Sequence, residues 1–346
     1  MTVITRQRAA EVVAELFGTE AFYDGTYYGV WSVRDQEGKK WKFMSDGSID
    51  TQRNSGGQIV AASGEYSTEM VSPKLSYDEM GKLQEVVRCL RKHGGFVNES
   101  CGQHVHVDAA NHTPQSLKNA LTIMYAKEDI LFKALKVQER REYSYCQKVR
   151  PEVLEKIRKM PNKSITMDRV RNVWYGGRDG SHTHYDHTRY YALNLHAVFS
   201  KGTLEWRCFE STLHAGKVRA NITLALAISA QAITDTVARL CIEANTRLPQ
   251  DVQAALDKAR QEEPWPLARN TLDLLWSNLS AAQEKDLPIC QDTGMACVFV
   301  ELGTDVHIDG SFETAIHEGV RRGYTDGYLR KSIVADPLRR GNTGDN

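Results

Sequence analysis

QHVHVD at 103–108 and GTLEWRCF at 202–209 are the stretches that decide the fold of the N-terminal part of this chain. Successive side chains of a strand point to opposite faces. His104, His106 and Asp108 therefore share one face, with Val105 and Val107 on the other. Thr203, Glu205 and Arg207 likewise share a face, opposed by Leu204, Trp206 and Cys208. The pattern predicts an antiparallel sheet with an apolar back and a front of imidazole, carboxylate and guanidinium. Imidazole and carboxylate suit a divalent cation, and the planar fork of Arg207 suits phosphate or carboxylate. A further strand within GEYSTEMVS (64–72) offers Glu69. A half-exposed sheet with a polar outer face would account for one His-x-His, whereas two strands of matching polarity favour a binding site. His182, His184 and His187, in the loop GGRDGSHTHYDH (176–187), read as solvated side chains.

Working outward, TRQRAAEVVAELF (5–17) has helical spacing, as does Ser76 to His93, which Gly94-Gly95 closes. TYYGVWSV (26–33) and KKWKFMS (39–45) read as strands, and RNSGGQ (53–58) as a loop. Thr113-Pro114 starts a helix that runs to about Val137. The polar stretch 138–188 reads as a long loop around shorter helices. RYYALNLHAV (189–198) reads as a strand. Beyond Lys217 the pattern is helical through Ile242, then again at 249–263 and 267–284. A β-like CVFVELG (297–303) and a helix at 311–322 follow.

The 346 residues suffice for two domains. With 25% charged and 41% hydrophobic residues the composition is that of a globular protein. The 44 basic residues balance the 44 acidic ones, so no nucleic-acid partner is expected. No apolar run is read as a membrane span and no signal-peptide core is seen, so no membrane partner is expected. The seven scattered cysteines suit reduced thiols and a cytoplasmic location.

GEYSTEMVSPKL, VNESCGQHVHVDA, RYYALNLHA and GTLEWRCFESTLHAGKV occur in this order over residues 1–230. Together they resemble the amidoligase family of carboxylate–amine ligases, related in fold to glutamine synthetase and glutamate–cysteine ligase. The resemblance implies an antiparallel sheet of glutamine-synthetase-like type with packed helices. It also implies ATP- and Mg²⁺-dependent amide formation between small-molecule or peptide carboxylate and amine substrates. By matching motif positions, Glu69, His104, His106 and Glu205 would be metal or nucleotide ligands, and Arg189, Asn194 and Arg207 would hold phosphate or substrate. The family opens with a strand bearing G-x-E-x-E. The opening MTVITRQRAAEVV is similar to the segment after that strand, so a domain lacking its first strand and those two carboxylates is expected.

LPICQDTGMAC (287–297) places Cys290, Gln291, Asp292 and Gly294 on one tight loop, which spacing alone reads as a surface turn. Cys297, in an apolar run, reads as core. However, ITDTVARLCIEANTRLPQDVQAALDKARQEEP, LPICQDTGMACVFVELGTDVHIDG, AIHEGVRRGYTDGYLRKSIVADPL and NTGDN resemble the start of class I fumarases and the α chain of L-tartrate dehydratase. The resemblance implies that Cys290 ligates a [4Fe–4S] cluster, that Gln291 and Asp292 lie beside a fumarate- or malate-like dicarboxylate, and that Arg330 binds its carboxylate. The family's other two cluster cysteines lie beyond NTGDN. One thiolate of three is expected not to assemble the cluster.

The expectation is therefore an α+β chain. Residues 1–230 would form a ligase-like domain, and residues 231–346 a mostly helical fragment of an iron–sulfur hydro-lyase. Three functions stand: a carboxylate–amine ligase, a fumarate-hydratase-type lyase that needs further sequence, or an inactive fusion or truncated gene product. Relatives of both parts suggest homo-oligomers.

Overall fold

In the computed structural model the chain is α+β, with small antiparallel sheets among helices. Residues 1–110, 112–299 and 311–346 are described. The chain divides into two compact units. One comprises Met1–Ala110 and Leu121–Ala227, the other Asn111–Ala120 and Ile228–Asn346.

The first unit opens with helix α1 (Arg6–Phe17), whose N-cap Thr5 accepts from Arg8 N. Strands β1 (Ala21–Tyr23), β2 (Trp31–Arg34) and β3 (Lys40–Met44) form a meander, and β6 (Glu69–Val71) pairs with β3. Between them, β4 (Gln52–Ser55) and β5 (Gln58–Ala61) make a hairpin where the sequence predicted a loop. Gly56 and Gly57 both have positive φ, which a two-residue hairpin turn requires and which polar flanks disguised. Helix α2 (Met80–Lys92) follows the capping box of Ser76 and Glu79. Its buried Leu83, Val86, Val87 and Leu90 pack with Val12 and Val13 of α1 and with Trp41 and Phe43 of β3 in one core. Asp35 fastens this core by accepting from Trp41 Nε1 at 3.1 Å and pairing with Lys82 at 3.2 Å.

The site-bearing sheet has the order β7-β9-β8, from β7 (Gly102–Asp108), β8 (Leu193–Asn194) and β9 (Thr203–Glu210). Helix α3 (Pro114–Leu135) starts with Ser116 N donating to the Thr113 hydroxyl, as the Thr-Pro pair predicted. Short helices α4 (Glu139–Ser144), α5 (Pro151–Arg158) and α6 (Met167–Trp174) occupy the stretch read as a long loop. The strand predicted over 189–198 shrinks to β8. A 3₁₀ turn (His187–Tyr190) precedes it, and helix α7 (His196–Lys201) follows, ended by Gly202 at φ 71°. Asp186, which caps Thr188 N, starts the turn that breaks the expected strand.

Helix α8 (Ala215–Thr246), which belongs to the second unit from Ile228 on, and α9 (Gln250–Glu262), α10 (Pro266–Lys285) and α11 (Ser311–Asp326) match the predicted helices. Segment Ala215–Glu262 includes a window long and apolar enough, by length and composition, to cross a membrane. That corrects the reading that no apolar run reaches this length. Of that window 39% is buried within the structure, including Ala232 and Val237. Gly319, Gly323 and Gly327 recur every fourth position and lie against α8. A Cβ at Gly319 would come within 2.6 Å of Val237 Cβ, and one at Gly323 within 2.6 Å of Ala238 O. Only glycine permits that approach. Residues 297–299 form no strand, and 300–303 of the predicted CVFVELG strand lie outside the described residues.

Candidate functional site

Glu205 sits on the central strand β9, paired across the sheet with His106 of β7 on one side and Asn194 of β8 on the other. The alternation read from the sequence thus brings three polar groups onto one face. Asn194 Nδ2 donates to Glu205 Oε2 at 2.6 Å, and His106 Nε2 lies 3.6 Å from Oε1. A register shift between Gln103 and Val105 places His104 at the same carboxylate, its Nδ1 3.5 Å from Oε1. Arg207, two positions along the same face, donates from Nη1 to Glu205 Oε1 at 2.7 Å and from Nε to the Tyr145 carbonyl at 3.0 Å. His106 Nδ1 is hydrogen-bonded to the Thr203 hydroxyl at 2.8 Å. Arg141 is buried behind the strand. It donates to the carbonyls of Arg207 (3.0 Å) and Phe209 (2.7 Å), satisfying backbone that no further strand pairs.

Burial works against charge on Glu205. Arg207 first, then His104, His106 and the Asn194 hydrogen bond, overcome it and hold the carboxyl down at about 2. Burial, with Arg207 adding to it, pushes His104 down to about 3. His106 is also lowered, chiefly by burial against the pull of Glu205. Both imidazoles are therefore neutral near pH 7 and keep a lone pair. Glu69 is raised to about 6 by burial and by Asp46 and Glu205, against the Met1 ammonium and Arg207. Buried Asn194 Oδ1 has no hydrogen-bond partner, although its Nδ2 holds Glu205. An orphaned buried acceptor of this kind marks a place for a donor to bind.

Of the predicted residues, His104, His106, Asn194, Glu205 and Arg207 meet in this cluster, and Glu69 lies within electrostatic reach of it. Arg189 is on the rim. It donates to the His184 carbonyl at 2.7 Å and stacks on Tyr185 (5.3 Å) and Tyr190 (5.6 Å), and Tyr190 also carries the Arg207 guanidinium at 5.7 Å. Among the described residues no three His, Cys, Asp or Glu side chains are placed to hold a metal ion. Each Glu205 oxygen accepts one hydrogen bond, Oε1 from Arg207 and Oε2 from Asn194. His104 Nδ1 and His106 Nε2 approach Glu205 Oε1 at 3.5 and 3.6 Å while Arg207 bonds the same oxygen, so the residues as placed form an ion-pair cluster rather than a closed metal cage. Sequence reasoning missed Arg141, Tyr145 and Tyr190, and also the buried pair of His196 and Tyr175, hydrogen-bonded at 2.7 Å. The run RREY at 140–143 in a polar stretch was the available signal for Arg141.

In the second unit the loop 290–294 is anchored at its start. Ile289 N donates to the Asn245 carbonyl at 2.9 Å, and Asn278 Nδ2 donates to the Ile289 carbonyl at 2.9 Å. Thr293 Oγ1 donates to the Arg330 carbonyl at 2.8 Å, tying the two segments that carry Cys290, Gln291, Asp292 and Arg330. All four of these residues are exposed. Cys297 is exposed as well, which corrects its reading as core. It follows from 297–299 forming no strand. Every cysteine is a free thiol.

Fold and site together define an α+β protein. One unit buries a carboxylate–guanidinium pair between neutral imidazoles, and the other carries a thiol-bearing loop on packed helices. Residues 1–229 match the family described as "Putative amidoligase enzyme", and the chain belongs to that family. Residues 234–346 match the family described as "Fumarate hydratase (Fumerase)". The same part is 36% identical over 112 residues to a "Putative L(+)-tartrate dehydratase subunit alpha" of Methanocaldococcus jannaschii, covering 32% of this chain and 39% of that protein. It is 34% identical over 113 residues to a "Putative fumarate hydratase class I" of Geobacillus stearothermophilus, covering 32% of this chain and 22% of that protein. The L(+)-tartrate dehydratase subunit alpha of Escherichia coli K12 is 26% identical over 114 residues, covering 33% of this chain and 37% of its own length. The chain thus spans well under half the length of these relatives.

Proposed function

We propose that the first unit is a carboxylate–amine ligase that uses ATP to activate a carboxylate and then joins it to an amine. The observation that carries this reading is the pairing of Asn194 and Arg207 on the two oxygens of Glu205. Arg207 has N–H donors beyond those given to Glu205 and Tyr145, and these suit a carboxylate or a transferred phosphoryl group. The orphaned Oδ1 of Asn194 suits the N–H of an attacking amine. Glu205 fixes both, so an anionic electrophile and a neutral nucleophile are held side by side. The neutral imidazoles leave the positive charge of the face to Arg207, and Arg189 on the rim adds a second cation for phosphate. Mg²⁺, the glutamine-synthetase-like sheet type and the cytoplasmic setting belong to the same proposal, as does a boundary near residue 230. The substrates would be small-molecule or peptide carboxylates and amines. Release of ADP from ATP that requires both a carboxylate and an amine, and that falls at least a hundredfold in Arg207→Lys and in Asn194→Ala, is the expected result. ATP turnover indifferent to both substitutions would remove the reading.

A second reading is favoured by the match of residues 234–346 and by the exposed Cys290. In it the second unit contributes Cys290, Gln291, Asp292 and Arg330 to a [4Fe–4S] hydro-lyase acting on a fumarate- or malate-like dicarboxylate. A single thiolate does not hold such a cluster, so this reading requires ligands beyond Cys290. Anaerobic reconstitution of this chain with iron and sulfide should give no cluster absorbance. Stable absorbance from this chain alone would show that the ligand set has been misassigned. The inactive-fusion reading predicts neither ADP release nor absorbance.

A further inference from the structure

We propose a second, non-catalytic site in the first unit: a cleft between the last turns of α2 and the first turn of α8 that binds small phosphate-bearing anions. The cavity has a volume of about 570 Å³. Gln84, Arg88, Arg91 and Lys92 line one wall, with His214 and Gly216 opposite. Positions 84, 88, 91 and 92 recur at helical spacing, so one face of α2 turns its polar side chains into the cleft. Arg88 and Lys92 form a like-charge i,i+4 pair, although Arg91 and Lys92 also sit in the last turn, where the helix dipole favours cations. Among the described residues none of Arg88, Arg91 and Lys92 is ion-paired to a carboxylate, and no acidic residue lines the cavity. Three cations with no carboxylate beside them thus line one volume.

Its width is set by the fold. Gln84 Nε2 donates to the Ala215 carbonyl at 3.1 Å and staples the two helices at this point. His214 accepts from Lys217 N at its carbonyl (2.9 Å), and its Nδ1 lies 3.2 Å from the same N–H. Of the first N–H groups of α8, those of Lys217 and Val218 are taken by His214, which leaves those of Ala215 and Gly216 without intrahelical acceptors, and Gly216 has no side chain to block them. Three cations and this helix start present donors to one volume, the chemistry that recognises the oxygens of a phosphate or pyrophosphate group. The cleft uses none of Glu205, Arg207 or Asn194, so the inference stands apart from the ligase reading.

Titration of the full chain with inorganic pyrophosphate, by calorimetry at low ionic strength, tests it. Binding should weaken as salt is raised. It should fall at least tenfold in Arg88→Gln/Arg91→Gln, and also in Gly216→Asp, which sets a carboxylate at the mouth. It should be unchanged in Lys156→Gln/Arg158→Gln, the same loss of charge on exposed α5, and the share lost in the cleft pair should be the same with Arg207→Lys present. Equal binding by the cleft pair and the α5 pair, no binding by the unsubstituted chain, or loss confined to Arg207→Lys would each overturn the proposal. The substituted cleft residues are exposed on α2, so unchanged circular dichroism is expected for that pair. ADP compared with pyrophosphate, each read as the binding lost in Arg88→Gln/Arg91→Gln, then separates the two sources of this chemistry: a larger loss for ADP assigns a nucleotide to the cleft, and an equal loss a free polyphosphate.

Discussion

Replacing Arg207 with Met removes the cation that keeps Glu205 ionised while filling most of the same volume. Glu205 and Arg207 are only 4% and 5% exposed, so solvent screens their pairing little. Moving the Glu205 carboxyl from its ordinary 4.5 down to about 2 corresponds to about 3 kcal/mol of stabilisation. Removing one partner of a buried ion pair typically costs about 3–5 kcal/mol, so the two routes agree. In the unsubstituted protein this contribution is present above pH 4.5 and is lost as pH falls toward 2. In Arg207→Met the unpaired Glu205 is governed by burial, and its pKa rises. The penalty should then be greatest near neutral pH and shrink on acidification as Glu205 takes up a proton. Urea unfolding followed by tryptophan emission is a suitable assay, because four of the six tryptophans, Trp31, Trp41, Trp174 and Trp206, lie in the first unit, and Trp265→Phe/Trp276→Phe removes the other two. A penalty below about 1 kcal/mol, or one that does not vary with pH, would refute the claim that this pair organises the site.

Burial raises Glu128 to about 7, opposed mainly by the Val149 N–H at 3.4 Å. The stability it confers is present below pH 4.5 and is lost as pH rises through about 7. Glu128→Gln should therefore stabilise the first unit at pH 8, by up to about 3 kcal/mol, and change little at pH 4 in a melting series. Gly319→Ala would press a methyl into Val237 and should cost about 1–3 kcal/mol, read as faster hydrogen exchange across α8 and α11. Native alkylation with iodoacetamide should label exposed Cys290 and Cys297 first and leave Cys146 and Cys208 unlabelled. Burial pushes the Cys146 thiol up and Cys208 to about 12, so neither supplies thiolate near neutral pH.

Strands β7 and β9 were legible because both carry strict alternation with an apolar back. That alternation also put His106, Glu205 and Arg207 on one face. The helices beyond residue 215 were legible from long periodic runs. What escaped was set by tertiary contact. The hairpin over residues 52–61 has no apolar face to betray it, since β4 and β5 are largely exposed. The strand expected over 189–198 was cut short by the Asp186 cap and by helix α7, whose His196 hydrogen-bonds Tyr175 from a distant helix end. Arg141 acts through two backbone carbonyls of β9, a role no local pattern announces. The metal reading of His104, His106, Glu69 and Glu205 rested on residue type. That Arg207 bonds the same carboxylate at 2.7 Å is a contact the sequence pattern does not announce.

Trapping the activated carboxylate tests the central claim most directly. The full chain is incubated with ATP, Mg²⁺, a panel of amino-acid and dipeptide carboxylates, and hydroxylamine as a generic amine. A carboxylate activated by phosphoryl transfer gives ADP and an acyl phosphate, and hydroxylamine displaces phosphate to leave a hydroxamate. The account predicts hydroxamate and ADP in equal amounts with at least one carboxylate, and neither from folded Arg207→Met. ADP without hydroxamate across the panel, or hydroxamate undiminished in Arg207→Met, would contradict it.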